Sequence, residues 1–216
     1  MLMLKILGSL ASDPGRIRPF QAPLAPELSW AATASSDDLF YRLHSGPRGL
    51  NREAVALSRQ DHGRNALTSR QEAGLRRHLS RIALAVQASL HESAASCLRR
   101  LTSASVQVTR SASGTQPVRA AELAVGDVVR IRPGDAVAAD VRLLEADGLE
   151  LDETVLAGFA RRCAKRAGAA QAGCADRAEN IAFAGSFAVA GTATGIVVAV
   201  GENTLLARIA GRRAEA

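Results

Sequence analysis

Among the carboxylates of one short stretch, Asp127, Asp135, Asp140, Asp152 and Glu153 stand at turns or beside apolar runs. Acids gathered in this way can hold a metal ion or divide general-acid and general-base duties. Their sequence neighbours point elsewhere: Asp127 follows a glycine, Asp135 closes Pro133-Gly134, and Asp140 and Asp152 border apolar runs. Most are thus expected at turns or strand edges, where a carboxylate bonds local backbone rather than a substrate. Cys97, Cys163 and Cys174 are odd in number and lack CxxC spacing, which argues against a disulfide framework or a structural zinc site and favours a reducing compartment. His44, His62, His78 and His91 never stand four apart, nor beside a cysteine with ligand spacing, and read as ordinary surface or helix positions. No Walker-type loop and no GxGxxG after a strand offers a nucleotide site, so neither cofactor nor metal is expected.

The elements that must position these residues are β-strands. Residues 127–132 and 141–145 are β-branched and leucine-rich, and Pro133-Gly134-Asp135 between them has turn chemistry. Asp147-Gly148 then punctuates before an alternating run over 149–155. Together they predict a three-stranded meander with one wet face. Upstream, 105–110 alternates as a strand and 116–119 follows the Ser113-Gly114 turn; downstream, 181–200 returns to strands, punctuated at Gly185-Ser186 and Gly191.

In words and in order this stretch resembles the actuator domain of P-type cation-transporting ATPases. Gly126-Asp127-Val128-Val129, Arg132-Pro133-Gly134-Asp135, Ala139-Asp140 with Arg142-Leu143-Leu144, and Asp152-Glu153 resemble that family's GDVV, PGD, PAD and DES signatures at matching spacings. Gly191, Gly195, Val198-Ala199-Val200-Gly201 and Asn203-Thr204 continue the likeness. The resemblance implies an α+β fold, a distorted β-roll or jelly-roll-like actuator domain carrying N-terminal helices and one long amphipathic helix.

The next family element is a Thr-Gly-Glu loop, whose glutamate positions the water that hydrolyses an aspartyl-phosphate on another domain. Here that loop is Ala157-Gly158-Phe159. Water activation needs a carboxylate in hydrogen-bond reach, and Phe159 has no side-chain acceptor. Only Gly158 keeps the sharp turn. Arg162 replaces a family proline, while Lys165 falls on the family's lysine. The resemblance therefore implies the scaffold without the reaction: no catalytic residue, no enzyme, and a candidate interaction loop of Gly158, Phe159, Arg161, Arg162 and Lys165. Phe159 either caps an apolar cluster at the loop tip or meets a partner.

Flanking segments complete the expected organisation. Residues 1–35 are rich in proline, alanine and serine and read as a flexible leader, the apolar run 1–10 being too short for a secretory core. Residues 36–68 predict a helix capped at Ser35 or Ser36 and another from Asn51, resembling the short N-terminal segment of calcium- and magnesium-type pumps through Gly49-Leu50, Glu53-Ala54 and Gly63 with Asn65. Residues 69–104 carry a stripe through Leu75, Leu79, Ile82, Val86, Leu90, Cys97 and Leu101, with Ser69 and Glu72 as a capping box; the stripe predicts one helix about 45 Å long. It packs on the β-domain or another copy, or its basic half lies on a membrane surface. The β-domain spans 105–211, with a terminal helix opening at 205, and 212–216 is a tail.

The chain of 216 residues carries net charge +6, almost all of it arginine, with only 3% aromatic residues. So few aromatics argue against a single-stranded nucleic-acid platform. No run reaches the roughly 18 to 20 apolar residues that span a bilayer. The expectation is a cytoplasmic, non-catalytic pseudo-actuator whose partner is an intact membrane P-type ATPase or a second copy, with membrane contact at most peripheral; the alternative is a fragment of a transport ATPase that needs parts encoded elsewhere.

Overall fold

The computed structural model describes residues 23–171 and 173–215. Eight helices and a seven-stranded antiparallel sheet form an α+β architecture among them. The first 22 residues of the expected leader lie outside the described residues, but its remainder is not a leader. Pro26–Thr33 is a helix, α1, with Leu28, Ala31 and Ala32 buried at the three- and four-residue spacing of one face. Pro26, which looks like a breaker in the sequence, sits in the first turn, where an N–H is unneeded anyway.

Helix α2 (Ser36–Arg42) and helix α3 (Arg52–His62) fall as expected, because Ser35 accepts from the Asp38 N–H and Asn51 from the Ala54 N–H. The single long helix is the main helical correction. Residues 69–104 form three helices, α4 (Ser69–Arg81), α5 (Ala83–Leu90) and α6 (Ala94–Ser103). Ile82 leaves helical geometry, His91 turns left-handed at φ 55°, and the Ser93 hydroxyl restarts the chain by accepting from the Ser96 N–H. Apolar spacing continues through both breaks, so periodicity alone does not reveal them. The capping box lies one residue earlier than expected, on Thr68 and Gln71. Leu75, Leu79, Val86 and Cys97 are all buried, so the stripe packs inward.

The strands are β1 (Ser105–Arg110), β2 (Gly114–Arg119), β3 (Val128–Ile131), β4 (Asp140–Asp152), β5 (Arg162–Ala164), β6 (Ile181–Ala182) and β7 (Phe187–Ala199). They line up in the order β2-β1-β3-β7-β4-β5, with β6 also on β4. The expected meander is therefore wrong in its pairing: β3 and β4 do not touch as neighbours, because β7 lies between them. Asp147-Gly148 is not a hairpin either. Residues 140–152 run as one strand that absorbs register shifts against β7, one of them between Asp147 and Glu150. Gly191, likewise expected to punctuate, lies inside β7 with φ 67°, and a Cβ there would stand 2.1 Å from the Gly148 carbonyl oxygen. Two glycines at one crossing let the bulged backbones approach closely.

Alternation along β7 feeds two cores. Phe187 and Ile196 face a cluster with Leu28, Leu39, Leu79 and Phe183, while Val197 and Ala193 face one with Val108, Val129, Leu143 and Leu151. A last helix, α8 (Leu205–Glu215), packs on α4 and closes the first cluster. It extends into the residues expected as a tail.

Buried charges tie these layers together. Arg142, 1% exposed, donates from Nε to the Ala31 carbonyl at 2.9 Å and from a terminal nitrogen to that of Ala34 at 3.4 Å, occupying carbonyls at the end of α1. Burial draws its pKa down to about 10, which leaves it charged at neutral pH. Asp140 accepts from the Ala184 N–H at 2.8 Å and the Leu205 N–H at 2.9 Å, joining β4 to the start of α8. Asp127 takes a bidentate pair from Arg110, at 2.8 and 2.7 Å, and the Ala124 N–H at 2.9 Å.

Candidate functional site

The loop after β4 is built from its neck outward. Asp152, fully buried, accepts from the Thr154 N–H at 2.9 Å and from the Ser89 hydroxyl of α5. The Thr154 hydroxyl donates to Ser89 at 3.1 Å and accepts the Arg161 N–H at 3.2 Å, and the Glu153 N–H meets the Arg161 carbonyl at 2.8 Å. Residues 153–161 thus form a closed loop fastened to α5. Its first turn is the short helix α7 (Thr154–Ala157), ended by Gly158 at φ 81°. A Cβ on Gly158 would have room, with Ile82 and His78 no nearer than 3.8 Å, so it is the left-handed backbone that favours glycine.

His78 is a helix position, one of the two settings expected, and it is buried rather than at the surface. It is 3% exposed on α4, and its Nε2 lies 2.5 Å from the Val155 carbonyl oxygen, which can only accept, so Nε2 carries the proton. Helices α4 and α5 together therefore hold the loop.

Of the candidate interaction residues, two face inward. Lys165 is buried beneath the loop, with Nζ 2.6 Å from Glu153 Oε1, 3.0 Å from the Ala178 carbonyl and 5.4 Å from the Phe183 ring centre. Its contact with Oε1 is ionic, without hydrogen-bond geometry. Arg161 is partly buried, its Nε 3.3 Å from Glu153 Oε2 and a terminal nitrogen donating to the Asp176 carbonyl at 2.7 Å. Lys165 and Arg161 both neutralise a buried acid. Arg162 is exposed, its Nε 3.9 Å from Asp152. Ala157 is half-buried, and the tip itself consists of Gly158, Phe159 and Ala160, with Phe159 43% exposed.

The expected acids divide accordingly. Asp135 caps its turn by accepting the Arg132 N–H at 2.8 Å, as local-backbone chemistry predicts. Asp140 and Glu153 do otherwise: both are fully buried and bonded to distant segments. No group of three or more metal-binding side chains occurs among the described residues. Sequence reading missed Arg110, Arg142 and the buried position of Lys165; for Arg110 and Lys165 the available signal was that an acid inside an apolar run, here Asp127 or Glu153, needs a cation, and no local signal marked Arg142. Burial, the first cause in each case, pushes the Cys97 and Cys163 thiols up to about 12, so neither is a nucleophile at neutral pH.

With this scaffold in place the class can be stated. Residues 100–213, more than half the chain, match the P-type ATPase actuator domain, and the protein belongs to that family. Among curated relatives it is 39% identical over 93 residues to a sodium/potassium-transporting ATPase alpha subunit of Hydra vulgaris, covering 43% of this chain and 9% of that one. It is 33% identical over 121 residues to a calcium-transporting ATPase of Bacillus subtilis, covering 55% and 14% respectively. A crystal structure of a zinc-transporting PIB-type ATPase in the E2.Pi state aligns with 52% of this chain and 17% of its own, at 22% identity and TM-score 0.39. The chain thus spans only a small part of the length of these relatives. No helix among the described residues is long and apolar enough to cross a membrane.

Proposed function

We propose that this chain is a non-catalytic binding module on an actuator scaffold, which engages a P-type cation-transporting ATPase through the loop tip at Phe159. The observation that carries the reading is the tip itself. Its apolar ring is exposed, the side chains nearest Gly158 are Ile82 and His78, and both acids of the loop, Asp152 and Glu153, are buried and committed to internal partners. A loop so arranged has shape and apolar surface to offer, and no free carboxylate with which to orient a water.

Affinity capture from the host's membrane fraction tests it: the wild-type chain retains a P-type ATPase and Phe159→Ala loses most of it, whereas equal recovery with both chains overturns the reading. Phe159→Glu gives the isolated chain no phosphatase activity. A second reading, a portion of a cation-transporting ATPase, draws on the small share of each relative that this chain spans. An antibody raised against residues 105–211 separates the two by the mass of the native polypeptide it detects.

A further inference from the structure

A cleft of about 360 Å³ opens between α1, α2 and the outer end of β7, within the size range of small-molecule sites. Its wall is apolar, including Leu28 and Val198. Trp30 and Arg42 form one side, the guanidinium carbon standing 4.2 Å over the ring centre, which makes a flat ledge that is both aromatic and cationic. Arg208 of α8 and His62 of α3 complete the rim.

The charges of this rim are out of balance. Glu27 is the one acid lining the cleft, against Arg42 and Arg208, neither of which makes an ion pair with a described residue, although Arg208 also feels the Asp140 carboxyl behind it. An adjoining hollow shares Arg42 and His62 but carries Glu53 and Asp61, so negative charge is disfavoured on that side. A flat apolar body with a single anionic end meets all of these conditions.

We propose that this cleft binds a small aromatic monocarboxylate, its ring on the Trp30–Arg42 ledge and its carboxylate on Arg208. The site shares no residue with the loop at Phe159, and nothing in the reading of that loop depends on it.

Trp30 is the chain's only tryptophan, so its emission reports directly on the ledge. Benzoate titrated into the full chain is expected to change that emission saturably, with a dissociation constant on the order of a millimolar for so small a ligand. Arg208→Gln and Arg42→Gln each weaken it by about tenfold, the loss of one charge-assisted contact. Neutral benzamide gives no saturating change. A response that never saturates, an equal response to benzamide, or unchanged affinity in both variants overturns the proposal. Thermal melts qualify each variant as folded, and Arg42→Gln carries the test should Arg208→Gln fail to fold.

Discussion

Lys165 and Glu153 meet at 2.6 Å with their side chains 3% and 1% exposed, so neither charge has water to fall back on. Removing one partner of a buried pair costs about 3–5 kcal/mol where nothing else compensates the other, and here Arg161, 3.3 Å from the second carboxylate oxygen, compensates Glu153 in part. Lys165→Met is therefore expected to destabilise the protein toward the lower end of that range in urea unfolding, and the double variant Glu153→Gln, Lys165→Met to recover much of the loss. A double variant no more stable than the single one would show that the pair does not set this cost. In the sequence Lys165 stands among exposed-looking arginines, and residue type alone places it on the surface. Its burial depends on Ala178 and Phe183, residues more than ten positions further on, which local pattern does not bring to it.

Strand identity was largely legible and strand order was not. β-branched runs mark 128–131 and 196–200 because such side chains suit a pleated, half-buried surface, whatever their neighbours. Which strand lies beside which is a long-range matter, and the local turn chemistry of Asp147-Gly148 argued for a hairpin where β4 instead bulges against β7. Helices α4 to α6 fail in the same way, since the three- and four-residue spacing survives breaks at Ile82 and His91. The actuator words and the degenerate tip at 157–159 were readable; the fastening of that tip by Ser89 and His78 was not. The β4–β7 crossing yields an expectation of its own. Gly191→Ala would force a methyl to within 2.1 Å of the Gly148 carbonyl at a positive φ, so it lowers stability by more than the roughly 1 kcal/mol of an ordinary glycine replacement. A melting temperature unchanged by this variant would contradict the close packing described.

The whole molecule should feel one carboxyl. Asp140 is buried with both oxygens accepting backbone N–H groups, and burial outweighs those bonds, raising its pKa from 3.8 to about 7. Between those two values the folded protein keeps a proton that the unfolded chain gives up. Its contribution is thus fully present below about pH 4 and lost as pH rises through about 7. Melting temperatures of the wild type should fall across this window relative to those of Asp140→Asn, which has nothing to titrate there, although the amide variant starts lower because it offers one acceptor to two donors. Parallel curves for the two proteins would rule the titration out.

The seat of β7 between β3 and β4 also governs how the protein emerges from the ribosome. Strands ending at residue 152 are synthesised before the strand that must lie between them, which begins at Phe187. Until it arrives, two apolar edges stay open in the nascent chain, a template for wrong pairing with neighbouring polypeptides. Maturation of this sheet is thereby bound to the synthesis of residues 187–199, and chaperone demand should peak just before they appear.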